Sequence, residues 1–295
     1  RGVLDVVPEL VVADDLGEFG PGVAGLGWDV RRADGIVAVH GFTHVDRLVP
    51  PATAMSECCP TVRGMTTDIQ APVTIDRNRL LAFDLETTGP DPRTAHVVTS
   101  ALVSIDGPDR RMRNWLAAPG VEIPPGATAV HGITTEHARA NGRPHAEVIA
   151  ETVAGIRQGW SEGRTLVAFN ACFDLTILRR WDPTFDILGP VVDPFVIDRA
   201  IDPYRKGKRT LEAVCEFHGV RLDAAHEAEA DALAAARLAW KLLGTLPDLA
   251  AADWREVNVQ QARWHETRQR DFAAYLERSG KDSSDVNAEW PIATV

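Results

Sequence analysis

The 295-residue chain carries a formal charge of −11, with 45% hydrophobic and 25% charged residues, a balance ordinary for a globular protein of one or two domains. The acidic surplus argues against a sequence-blind grip on duplex nucleic acid through an all-over basic surface, and no apolar run reaches the length of a membrane span. Four cysteines are too few for a disulfide scaffold, so a reducing cytoplasm is the expected setting.

Residues 1–64 differ from the rest of the chain. Gly17, Gly20, Gly22, Gly25 and Gly27 interrupt any regular element, and Pro50-Pro51 opens a linker-like stretch. His40 and His44 have the i, i+4 spacing of metal ligands on a helix, but Gly41 lies between them and no third ligand accompanies them. The segment beginning Met65-Thr66-Thr67 resembles an ordinary bacterial start. Residues 1–64 are therefore expected to be a low-motif extension, either a disordered leader or sequence upstream of the native start.

From Arg79 the pattern becomes regular. The apolar run 80–85 predicts a buried strand, and the Val- and Thr-rich run 95–105 a second. Asp106-Gly107-Pro108-Asp109 predicts a hairpin turn into a third strand over 111–116. Three strands on short turns imply an antiparallel meander. Pro124-Pro125-Gly126 is read as a break, and Thr134 or Thr135 as the N-cap of a short helix. Helical spacing covers 145–158, with Val148, Ile149, Val153 and Ile156 on one face. A short buried strand over 166–169 precedes a helix over 171–181, and Val191-Val192 forms another strand. Further helices are predicted over 211–217, ended by Gly219, over 227–243, and over 253–278 as one helix or a pair. Trp290-Pro291-Ile292 is expected to pin the tail. Strands first, then strands alternating with helices, predict an α/β fold with a mixed five-stranded sheet. The expected divisions are a core domain over 79–245 and a C-terminal helical extension and tail over 246–295.

Within this frame, Asp84 and Glu86 stand two apart at the end of the first strand, so both side chains leave the same face. Adjacent carboxylates in low dielectric repel unless a cation sits between them, and oxygen ligands on a rigid strand suit Mg²⁺ or Mn²⁺. An isolated Asp-x-Glu is commonly just the exposed end of a strand, so the pair needs partners. Asp174 falls in the first turn of a helix, where an acid is favoured on dipole grounds alone. Asp231 lies inside the Ala-rich helix and His226 just before it. The segments together supply four carboxylates and one imidazole.

The stretches FDLETTG, VAFNACFDLTIL and HEAEAD, in this order, resemble the three motifs of the DEDDh 3′–5′ exonucleases, the family of the proofreading subunit of bacterial DNA polymerase III and of RNase T type enzymes. His131-Gly132-Ile133-Thr134 resembles that family's spacer segment. The likeness covers roughly residues 79–245. A narrower likeness to stand-alone exonucleases of actinobacteria and their phages rests on Tyr204-Arg205-Lys206-Gly207-Lys208-Arg209 and Glu289-Trp290-Pro291. The resemblance implies a ribonuclease H-like fold. It implies Asp84, Glu86, Asp174 and Asp231 as ligands of two divalent cations, Mg²⁺ or Mn²⁺, and His226 as general base, all five being catalytic.

The expected reaction is hydrolysis of phosphodiester bonds at the 3′ end of single-stranded DNA, in repair or proofreading. The alternatives are an RNA-directed 3′ exonuclease of the same fold, or a DNA polymerase-associated subunit with a mainly structural role. Thr87, Thr88 and Gly89 follow the acidic strand and offer hydroxyls or backbone N–H groups to a terminal nucleotide; His131 and Asn170 are candidates near the same pocket. Arg205, Lys206, Lys208 and Arg209 form the only dense basic run and are expected either to track a phosphate backbone or to be a solvated loop.

Overall fold

A computed structural model describes residues 74–223 and 226–294. The expectations for residues 1–64, with the His40–His44 pair, and for the segment at Met65 lie outside the described residues.

A three-stranded antiparallel meander begins the fold: β1 (Arg79–Thr87), β2 (Val97–Asp106) and β3 (Asp109–Ala118). The turn joining β2 to β3 needs left-handed backbone, which Gly107 supplies at φ 57°. Helices α1 (Pro125–His131) and α2 (Thr135–Asn141) come next, then a two-residue strand β4 (Arg143–Pro144) and helix α3 (His145–Ser161). They lead into β5 (Thr165–Val167), α4 (Ala171–Trp181), β6 (Val191–Val192) and α5 (Pro194–Ile201). Helices α6 (Leu211–His218), α7 (Ala228–Thr245), α8 (Pro247–Ala251) and α9 (Trp254–Arg278) complete the chain. The sheet order is β4-β3-β2-β1-β5-β6. The β1–β2 and β2–β3 pairs are antiparallel, and β5 and β6 run parallel to β1. This is the expected mixed sheet, five strands plus the short edge strand β4, which pairs only with Ala117 and Ala118.

Strand β1 is buried on both faces. Leu81, Phe83 and Leu85 enter a core shared with α3 and α4, whereas Leu80 and Ala82 enter a second core shared with α5 and α7. Asp84 and Glu86 continue the even-numbered series. They lie on the α7 side, just where α7 begins. Buried alanines of α7, among them Ala232, Ala235 and Ala239, let that helix sit close on the sheet. On the other face Gly159 brings α3 against β1, since a Cβ there would lie 2.5 Å from Leu81 Cδ2.

Three helices, α1, α5 and α8, replace expected irregular chain, each opening on a proline. Pro125 does not break α1 but opens it, because proline at the first helical position loses no needed hydrogen bond. Helix α5 starts the same way at Pro194, and Asp193 caps it by accepting from the N–H groups of Phe195 and Val196. Thr134 is the N-cap of α2, and 254–278 is a single helix. Among the described residues no helix is long and apolar enough to cross a membrane.

Candidate active site

Three carboxylates meet where β1 ends and α7 begins. Asp84, Glu86 and Asp231 each present an oxygen within 4.8 Å of the other two. The β1 pairing shifts register between Glu86 and Thr87, a bulge directly after the second acid. Asp174, in the first turn of α4, lies outside this set of three but adjoins it. It is 4% exposed, and its charge acts on Asp84 as Glu86's charge acts on it.

Gathering four acids has an electrostatic cost visible in each of them. Burial, then the charges of Asp174, Glu86 and Asp231, push Asp84 well above the carboxylate range. Burial, then the charge of Asp231, pushes Glu86 up to about 8. Asp174 is raised well above its ordinary value by burial, against the pull of backbone N–H groups at Asp174 and Leu85. Burial raises Asp231, although the His226 backbone N–H opposes it. Such a cluster is stable with a cation or with protons, and unfavourable with neither.

One bond links His226 to the cluster: its backbone N–H donates to Asp231 Oδ2 at 3.1 Å. The other oxygen, Asp231 Oδ1, is buried and has no hydrogen-bond partner, which leaves it available as a ligand atom. His226 is exposed, and its backbone is left-handed at φ 66°. Among the described residues only Asn170, at φ 61°, shares that conformation without being glycine. Both belong to the acidic motifs, and such backbone persists only where surroundings enforce it. For Asn170 the enforcing group is Asp193, which accepts from the N–H groups of Asn170 and Ala171, each at 2.9 Å.

The expected substrate residues divide. His131 Nδ1 accepts from the Ile133 N–H at 3.2 Å, which leaves Nε2 as the protonated nitrogen, buried and unpartnered. Burial lowers the His131 ring below the usual histidine range; the backbone at Thr87 and His131 opposes this, and the charge of His226 adds to it. Thr87 and Thr88 turn inward instead. The Thr87 hydroxyl donates to the Gly89 carbonyl at 2.9 Å, and Thr88 pairs with the His96 backbone through both its N–H and its hydroxyl. Gly89 borders open space.

The basic run needs correction. Arg205 Nη2 and Arg209 Nη1 both donate to Asp198 Oδ2, at 2.6 and 2.7 Å, and His218 Nε2 lies 2.8 Å from Asp198 Oδ1. Asp198 is fully buried, and Arg209 is 6% exposed. Arg205 also stacks on Phe217, 4.1 Å from the ring centre. These two arginines therefore fasten the loop between α5 and α6 and are not free for a phosphate backbone. Lys206 and Lys208 are exposed, as is Tyr204 at 92%.

Sequence reasoning missed Asp193, Asp198 and Glu229. The Asp193-Pro194 pair is an N-cap followed by N1 proline, a readable signal. Glu229 accepts from Asn114 Nδ2, tying the first turn of α7 to β3; nothing local announces that contact.

The exonuclease family model matches residues 81–239, more than half of the 295 residues. A DNA polymerase III subunit epsilon-like protein of Rhodobacter capsulatus is 33% identical over 182 residues, covering 58% of this chain and 25% of its own length. A PolC-type DNA polymerase III of Thermotoga petrophila is 26% identical over 215 residues, covering 72% of this chain and 14% of its own length. The chain thus spans a quarter or less of these curated relatives. Among solved structures, an Exonuclease I from Methylocaldum szegediense aligns with a TM-score of 0.47 at 24% identity, over 57% of this chain and 41% of that one. The matched segment contains all four acids and His226, and the chain belongs to the exonuclease family.

Proposed function

We propose that this protein is a 3′–5′ exonuclease that trims single-stranded DNA with two divalent cations, Mg²⁺ or Mn²⁺. The observation that carries the reading is the meeting of Asp84, Glu86 and Asp231 oxygens within 4.8 Å. The donor set fits a hard cation: all-oxygen, negatively charged, rigidly mounted, and including the bare Asp231 Oδ1. Asp84, Glu86, Asp174 and Asp231 hold the cations. When bound, a cation pair supplies positive charge for the attacking and leaving oxygens of a phosphodiester.

His226 acts as general base, taking the proton of the attacking water. Its exposed position at the start of α7 leaves the ring room to reach that water. His131, whose ring lies against the Thr87 backbone, donates from Nε2 to the terminal nucleotide. Asn170 keeps the loop before Asp174 in its left-handed turn. Thr87, Thr88 and Gly89 shape the pocket wall through backbone rather than hydroxyls. Lys206, Lys208 and Tyr204 form an outlying contact for the strand, cations with an aromatic platform.

We further read residues 79–245 as the catalytic unit and residues 246–295 as an extension to it, working in a reducing cytoplasm where Cys172 and Cys215 stay free. Digestion of end-labelled single-stranded DNA and RNA, with Mg²⁺, Mn²⁺ or EDTA, tests the reading. Stepwise loss from the 3′ end of DNA that EDTA abolishes is expected. Metal-independent cleavage or 5′ polarity would overturn it, and preference for RNA would move the substrate class. Co-elution with a replicative DNA polymerase, in a variant lacking Asp84, would instead favour the structural-subunit alternative.

A further inference from the structure

Of the four acids, Asp174 is the one outside the set whose oxygens all lie within 4.8 Å of one another, and it is carried by α4, so its place in the site depends on the pose of that helix. Three anchors on α4 and its N-terminus come from the far end of the chain. The Cys172 thiol donates to the Glu289 carbonyl at 3.3 Å. The Ala293 N–H donates to Thr176 Oγ1 at 2.9 Å. Cys172 and Thr176 are one turn apart and share a face, whereas Asp174, midway between them, points about 200° around the helix. The tail thus grips the back of the turn whose front carries the acid. The third anchor is Trp290, 8% exposed, whose Nε1 donates to Asp193 Oδ2 at 3.3 Å. That same carboxylate holds the N–H groups at the start of α4. Asp193 is in turn held from α9, its N–H donating to Gln261 Oε1 at 2.8 Å.

We infer that residues 289–293 are a positioning strap for Asp174, anchored by Trp290, and that the C-terminal extension is a working part of the metal site. The inference rests on reading Asp174 as a metal ligand. Without the strap, α4 can tilt away from β1 with its fold intact, and Asp174 no longer completes the site. Residues behind metal ligands commonly change affinity 10- to 100-fold.

The test is calorimetric titration of the full-length protein with Mn²⁺ alone, without substrate. Trp290→Ala is expected to bind Mn²⁺ about 10-fold more weakly, with far-ultraviolet circular dichroism unchanged. Trp290→Phe keeps the ring but loses the donor, and is expected to fall between Trp290→Ala and wild type. It decides the matter if the alanine variant does not fold. Leu242→Ala is the control. It opens a core cavity eleven residues along α7 from Asp231, about 16 Å away, and should lower the melting temperature without weakening Mn²⁺ binding. The strap is refuted if the Trp290 variants bind Mn²⁺ within twofold of wild type, or if Leu242→Ala weakens binding as much. A wild-type protein that binds no Mn²⁺, or binds it undiminished after Asp84→Asn, would refute the metal site itself and the strap with it.

Discussion

Asp198→Asn is expected to unfold this protein far more readily than any change in the exposed lysines beside it. Asp198 is fully buried and bonded to Arg205, Arg209 and His218. Neutralising it strands two largely buried guanidinium groups, and removing one partner of a buried ion pair costs roughly 3–5 kcal/mol. For a structure of this size each kcal/mol moves the melting temperature by about 2–4 °C, so a loss of roughly 6–20 °C results. Burial pushes the Asp198 carboxyl up, but the bonds from His218, Arg209 and Arg205 outweigh it and hold it below its ordinary range. A lowered carboxylate stabilises the fold above its unfolded value and loses that contribution as pH falls through its folded one. Urea titrations at pH 7 and near pH 3 therefore give a large gap between wild type and Asp198→Asn at pH 7 that narrows toward pH 3. A loss below about 1 kcal/mol at neutral pH would show that Arg205 and Arg209 are not held as structural groups, and the basic run would return as a whole to the strand-binding surface.

Other outcomes rest on the same geometry. His226→Ala should lower kcat by roughly 10²–10⁴ while Mn²⁺ titration shows near-normal binding; unchanged kcat removes the base assignment. Glu86 is raised to about 8, and a raised acid stabilises the fold fully below its unfolded value and loses that contribution as pH rises through the folded one. The melting temperature of EDTA-treated protein should therefore fall between about pH 5 and 9, and added Mn²⁺ should restore it with a gain that grows with pH; a pH-independent gain contradicts this. Asp84→Asn should abolish activity yet raise the melting temperature of the metal-free protein by removing a carboxyl whose ionised form is opposed by burial and by the neighbouring acids, and a lowered value counts against that cost. Replacing Lys206 and Lys208 together by Ala should leave stability within about 0.5 kcal/mol and reduce the salt slope of single-strand binding by about 1.4; an unchanged slope removes them from the contact surface.

The parts of the site that the sequence reveals are those written in short spacings. Asp84 and Glu86 lie two apart on a strand, and the 3.6-residue periodicities of α3, α4 and α7 place Asp174 and Asp231 at helix starts. What escaped notice depends on contacts between distant positions. Arg205 and Arg209 look like a free basic run because their partner Asp198 lies seven and eleven residues earlier; the Asp193-Pro194 signal announces the start of its helix but not the ion pairs. The grip of Trp290 and Ala293 on Asp193 and Thr176 spans 97 and 117 residues, and no periodicity encodes it. The inward turn of the Thr87 and Thr88 hydroxyls is likewise a consequence of the bulge after Glu86 and the return of His96, not of composition.

The central claim is that acids from three separated segments form one cation cage. Anomalous scattering from crystals soaked in Mn²⁺ tests it most directly. Two peaks about 3.5–4 Å apart, bounded by Asp84, Glu86, Asp174 and Asp231, are predicted. A soaked crystal with no peak there, or with manganese bound only at other surface acids, would contradict the account.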